Sequence, residues 1–207
     1  VAGLGHFLGW LPLGFTQNGL LVAGILKKWG SVGTLPASVG MGDTPFKNWD
    51  GTKKDMPRFN QKVDADFVLK TETKKYHCRE CPLGCGGIVE LEGKLKESHK
   101  LEYETAASFT SMLLIDDIEF AYEMNDLLNR EGMDTISAGG TMAFAMECYE
   151  KGWITTEDTG GIELTWGNVP AARQVFEQMI TRTGFGAVLA DGTRLAVGTT
   201  DQFAVEM

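Results

Sequence analysis

The sequence predicts a mainly α fold: a multihelical domain with a cysteine-rich loop and at most a short β-hairpin. Three observations lead there. Apolar residues recur at helical spacing through the second half of the chain, each run opened by a capping residue or proline and closed by glycine. No period-two alternation is sustained long enough to build a large sheet. Three of the four cysteines crowd into one stretch, Cys78-Arg79-Glu80-Cys81-Pro82-Leu83-Gly84-Cys85-Gly86-Gly87, whose proline and glycines suit a loop.

Taken in order, the first 25 residues are apolar but broken by Gly3, Gly5, Gly9, Pro12, Gly14, Gly19 and Gly24 and interrupted by His6, Gln17 and Asn18. This is too polar and too broken for a spanning helix, and it lacks the basic start of a signal peptide. Membrane insertion is therefore not expected. From Gly30 to Asn60, eight glycines and prolines mark a long loop anchored by Trp29, Phe46, Trp49 and Phe59. Beyond the cysteines, Ile88–Leu95 reads as a short hairpin turning near Glu92-Gly93.

Asp116-Asp117-Ile118-Glu119 has the capping-box pattern, with Asp116 as N-cap. Ile118, Ala121, Met124, Asn125 and Leu128 follow on one helical face, with Gly132 as a natural stop. A second helix starts near Ser137 or Thr141 and runs to Gly152. A third begins at Pro170, suited to a first helical turn, and carries Val175, Met179 and Ile180 before Gly184.

With 207 residues and 43% hydrophobic content, the chain can bury a real core. Its formal charge of −9 leaves no basic stripe to neutralise phosphates, which excludes nucleic acid as a partner. Clustered thiols without a secretory signal fit a reduced, cytoplasmic protein rather than a disulfide framework. The valine start and the end after Phe203-Ala204-Val205-Glu206 suggest a piece of a longer protein.

The C-x2-C-x3-C run offers three soft thiolate ligands from one loop. On spacing alone it admits an iron–sulfur cluster, with a fourth ligand from elsewhere, or a Cys3His zinc site completed by His77 or His99. Unligated thiols also fit.

Six ordered blocks narrow the choice. They are Lys28-Trp29-Gly30-Ser31, Phe46-Lys47-Asn48-Trp49, the cysteine loop, Leu101-Glu102-Tyr103-Glu104-Thr105, the run from Asn129 to Ser137, and the run from Ala143 to Gly152. In this order the chain, from about Lys27 to Leu195, resembles the tungsten-dependent aldehyde ferredoxin oxidoreductases. The resemblance implies that residues 1–207 are the middle helical domain, without the N-terminal β-rich domain and the last helical domain. It implies that Cys78, Cys81 and Cys85 bind a 4Fe–4S cluster beside a tungsten (or molybdenum) bis-pterin, the fourth cysteine ligand lying in the last domain. Glu104 falls at the glutamate near the metal, where a carboxylate serves proton transfer. Asn129, Gly132 and Asp134 fall on the pterin-contacting loop, with asparagine for the usual first aspartate and Met133 for leucine. Those residues are equally compatible with a helix cap.

Cys148, mid-helix, reads as a small core residue rather than the fourth ligand. A homodimer is compatible with the family, but its Glu-x-x-His interface motif is here Glu123-Met124-Asn125-Asp126, so no interface metal is expected. The implied activity is oxidation of a small aldehyde to a carboxylic acid, with ferredoxin or an electron-transfer subunit as acceptor. The alternatives are a tungsten subunit of a benzoyl-CoA reductase-like complex and an iron–sulfur module without tungsten.

Overall fold

The structure is a computed structural model that describes residues 20–199; most of the apolar, glycine-broken N-terminal stretch lies outside them. Ten α-helices and three strands follow one another among the described residues. Helices α1 (Leu20–Trp29), α2 (Leu35–Met41), α3 (Phe59–Lys62) and α4 (Phe67–Thr71) lead into strands β1 (Glu72–Tyr76), β2 (Gly86–Leu91) and β3 (Leu95–His99). After these come α5 (Tyr103–Phe109), α6 (Ile118–Arg130), α7 (Thr135–Glu150), α8 (Val169–Thr181), α9 (Gly186–Leu189) and α10 (Thr193–Thr199). The fold is mainly α, with a small antiparallel sheet in the order β1-β2-β3.

The anticipated hairpin is β2–β3, turning at Glu92-Gly93-Lys94, with Gly93 at φ 74° and Lys94 N–H donating to Leu91 O. Strand β1 joins it as an edge. Its Glu-Thr-Lys-Lys-Tyr sequence is exposed except at Glu72, so no apolar alternation announces it.

The segment 30–60 is more ordered than a loop. Pro36 sits in the first turn of α2, where its missing N–H is harmless. Gly42, at φ 85°, ends that helix. Phe46 and Phe59 are buried edge-to-face with centroids 5.3 Å apart, whereas Trp49 is 67% exposed. Residues Lys47, Asn48 and Trp49 all take positive φ. Asn48 Nδ2, donating to Glu147 Oε2 at 2.6 Å, and the Lys47–Glu150 ion pair at 2.7 Å hold this turn against the end of α7.

The N-cap of α6 is Asp117, not Asp116: its carboxylate accepts from the N–H groups of Glu119 and Phe120. The Glu119 side chain pairs with Lys94 at 2.8 Å instead of closing a capping box. Helix α7 begins at Thr135, earlier than Ser137, because Asp134 caps it. Asn168 caps α8, with Pro170 in the first turn as expected. That helix closes at Arg182, in the left-handed conformation at φ 52°, two residues before Gly184. Gly132 and Gly152 take positive φ just beyond α6 and α7, as their stop positions require.

One hydrophobic core joins these elements. Phe109 and Phe120 flank Phe176, at 5.4 and 6.4 Å between centroids, tying α5, α6 and α8 together. Helix α7 is buried along much of its circumference, through Ala138, Met142, Ala145, Met146 and Cys148. Gly139 lets it lie directly on α5, since a Cβ there would be 2.8 Å from Ser108 O.

Candidate cluster and cofactor site

The cysteine loop bridges β1 and β2, so the small sheet is its frame. All three thiols are free; Cys78 is exposed, and Cys81 and Cys85 are half-buried. Cys81 N–H donates to Cys78 O at 3.0 Å, closing a tight turn. Across the loop, His77 Nδ1 lies 3.2 Å from Cys81 O. Gly84, at φ 61°, makes room for that ring, because a Cβ would fall 2.5 Å from His77 Cε1. Gly86 does the same for the Tyr76 ring, at 2.4 Å.

Both histidines of the zinc alternative make a contact through Nδ1, which leaves Nε2 able to ligate. His77 holds its own loop, and His99 Nδ1 meets Tyr76 Oη at 3.1 Å. Among the described residues no group of three His, Cys, Asp or Glu side chains is placed to hold a single metal ion. A cubane cluster needs no such convergence, because each thiolate binds its own iron. Three free thiols on one loop, none of them buried, fit that demand.

Beneath the loop lies a feature the sequence did not announce. The Lys100 side chain is 1% exposed, and its Nζ meets Glu72 Oε1 at 2.9 Å. Lys75 Nζ meets the other carboxylate oxygen at 2.8 Å. Burial lowers the Lys100 pKa, opposed by Glu72. Two glycines create the space: a Cβ at Gly87 would lie 2.1 Å from Glu72 Oε1, and one at Gly30 would lie 2.9 Å from Lys100 Cε and 3.2 Å from Cys85 O. Next to Gly30, the Ser31 hydroxyl donates to Glu102 and accepts Tyr103 N–H at 2.7 Å. Three blocks far apart in sequence therefore meet around Cys85.

Glu104 is exposed in the first turn of α5. Its neighbour Thr105 reaches the start of α7, with Oγ1 atoms of Thr105 and Thr135 2.8 Å apart. The Glu104 segment and the Asn129–Asp134 loop are thereby adjacent. Gly132, Met133 and Asp134 line a cavity of 470 Å³ together with Ser137, Arg182 and Asp191. Arg182 and Asp191 face each other as a bidentate pair at 2.7 and 3.0 Å. The Asp134 carboxylate accepts Ser137 N–H at 2.7 Å, which holds its pKa below the usual carboxylate range. Asn129 is separated from this cavity. Its amide donates to Asn125 O and Oδ1, and it borders a different cavity, of 360 Å³, with His99, Asp126 and Arg130.

Cys148 is fully buried in the core, and burial pushes its thiol up to about 12. It is a neutral packing residue at any ordinary pH. Where the interface motif would lie, Glu123 pairs with Lys94 and Arg173, while Asp126 pairs with Arg130. No helix among the described residues is long and apolar enough to cross a membrane.

The family profile described as "Aldehyde ferredoxin oxidoreductase, domains 2 & 3" matches residues 16–207. The tungsten-containing aldehyde ferredoxin oxidoreductase of Pyrococcus furiosus is 34% identical over 182 residues, covering 87% of this chain and 30% of the relative. Its namesake in Thermococcus kodakarensis is 37% identical over 132 residues, 63% of this chain and 21% of the relative. The WOR-like subunit of the Pyrococcus furiosus aliphatic sulfonate oxidoreductase is 30% identical over 176 residues, covering 81% and 27%. Among solved structures, the BamBC active-site complex of benzoyl coenzyme A reductase, bound to 1,5-dienoyl-CoA, shares the fold. Its TM-score is 0.59 at 24% identity, over 77% of this chain and 24% of that one. The chain spans less than a third of the length of these relatives. The matched profile and the 34% identity along most of the chain place it in the aldehyde ferredoxin oxidoreductase family of tungsten-containing oxidoreductases.

Proposed function

We propose that this chain is the cluster-binding helical portion of an enzyme that oxidises a small aldehyde to its carboxylic acid. The observation that carries the reading is the cysteine loop itself. Its three free thiols stand in a family whose Pyrococcus furiosus and Thermococcus kodakarensis members above are tungsten-containing by name. Cys78, Cys81 and Cys85 would hold a 4Fe–4S cluster, the fourth ligand coming from outside residues 1–207. Gly132 and Asp134 would contact one pterin of a tungsten (or molybdenum) bis-pterin along the 470 Å³ cavity. Asn129 gives its Nδ2 to Asn125, so it would meet a pterin through Oδ1 as an acceptor.

Aldehyde and water become acid, releasing two electrons and two protons; the bound metal and cluster would supply the redox capacity for the electrons. The residues handle what remains. Glu104 is an exposed carboxylate with no salt bridge among the described residues, suited to accept a proton from water or substrate. Gly30, Ser31 and the start of α5 fix that carboxylate's helix relative to Cys85. The electron acceptor would be ferredoxin or a partner subunit, with the enzyme cytoplasmic and a homodimer compatible.

The test is metal content and turnover of the holoenzyme. The expected result is about one tungsten or molybdenum and about four irons per chain, with aldehyde-dependent reduction of a viologen dye. Iron without tungsten or molybdenum would reduce the reading to an electron-transfer module, and zinc alone would overturn the cluster. Metal-loaded enzyme that ignores aldehydes but turns over a cyclic dienoyl-CoA would instead match the benzoyl-CoA reductase-like alternative.

A further inference from the structure

We infer that Lys100 is a positioning residue that sets the cluster's reduction potential, with Glu72 as its counterweight. The inference rests on the cluster reading above. Burying a lysine–glutamate pair brings little or no net stability, because desolvation consumes most of the Coulombic gain. This pair nevertheless has two dedicated clearances. Gly87 leaves room for the Glu72 carboxylate, and Gly30 leaves room for the Lys100 stem. Either position with a Cβ would drive the pair apart. The pair is also anchored from the backbone, as Lys100 N–H donates to Gly87 O at 2.8 Å.

Location gives the arrangement its meaning. The Lys100 side chain and the Cys85 carbonyl border the same point above Gly30, with Nζ at 3.4 Å and the oxygen at 3.2 Å. A charge that is 1% exposed is poorly screened by water or salt. Lys75 also binds Glu72, so two ammonium groups face one carboxylate. Glu102 is the next acid nearby, but it is exposed and engaged by Ser31. A cluster gains negative charge when it accepts an electron. A fixed positive charge at its ligand loop therefore favours the reduced form and raises the potential.

The test is an EPR-monitored redox titration of the holoenzyme in wild-type, Lys100→Arg, Lys100→Met and Glu72→Gln forms. Lys100→Met is expected to lower the midpoint potential by about 59 mV, a tenfold change in the reduced-to-oxidised ratio for a one-electron couple. Lys100→Arg, keeping the charge, should stay near wild type. Glu72→Gln, which frees both ammonium groups, should move the potential up. Opposite shifts are what a merely structural role would not produce. Unchanged potentials, or shifts of one sign, in iron-replete variants overturn the inference. If Lys100→Met fails to load iron, Glu72→Gln decides alone: an upward shift supports the inference, and any other result overturns it. A wild-type enzyme without a cluster signal would sink the cluster reading instead.

Discussion

Gly87 shows how much one absent methyl group can decide. Its replacement by alanine would place Cβ 2.1 Å from Glu72 Oε1, a contact that only movement of β1 or loss of the Lys100 pair relieves. Gly87→Ala should cost about 1–3 kcal/mol, read as a lowered midpoint in chemical denaturation. None of this was legible in the sequence. Lys100 stands in a polar run and looks solvated, because its partner lies 28 residues away. Asp134 is legible as a pterin-loop residue only through the resemblance, and the structure gives it a concrete local duty as N-cap of α7. Its carboxyl is held low by the Ser137 amide, so its contribution is complete above the unfolded value of about 3.9 and is lost as pH falls through the folded value. Asp134→Asn should keep the cap at neutral pH while flattening the acid limb of a stability-versus-pH curve.

At the scale of elements, some helix starts and stops are legible because their signals are local. Pro170, Gly132 and Gly152 act where the sequence placed them. The adjacent aspartates before α6 could not be told apart by pattern; only the structure chooses Asp117. Asp117→Ala should cost about 1 kcal/mol in unfolding free energy, whereas Asp116→Ala, at an exposed site, should cost close to nothing. Helix α7 offers a sharper contrast. Gly139 packs against Ser108, and alanine there would meet backbone at 2.8 Å, while Gly140 has nothing within 4 Å. Gly140→Ala should stabilise by about 0.5–1 kcal/mol and Gly139→Ala should destabilise, both read from thermal midpoints. Strand β1 and helix α2 escaped the sequence reading for opposite reasons. The first is a polar edge without alternation, and the second hides among glycines and prolines that usually break helices.

For the whole molecule, the core, the sheet and the cysteine loop form one chain of dependence. The helices bury the aromatic cluster, the sheet frames the loop, and Gly30, Ser31 and Lys100 join that loop to α5. The loop is plain in the sequence, but its spacing alone does not choose between cluster and zinc, since spacing does not say where histidines point. Among the described residues the structure brings no three His, Cys, Asp or Glu side chains together around a single ion, and it buries Cys148 as a neutral thiol. The central claim is that Cys78, Cys81 and Cys85, and not Cys148, bind the cluster. Iron content of the purified holoenzyme, compared across Cys78→Ser, Cys81→Ser, Cys85→Ser and Cys148→Ser, tests it most directly. The account predicts severe iron loss in each of the first three and wild-type iron in the fourth. Full iron in the three loop variants, or iron loss confined to Cys148→Ser, would contradict it.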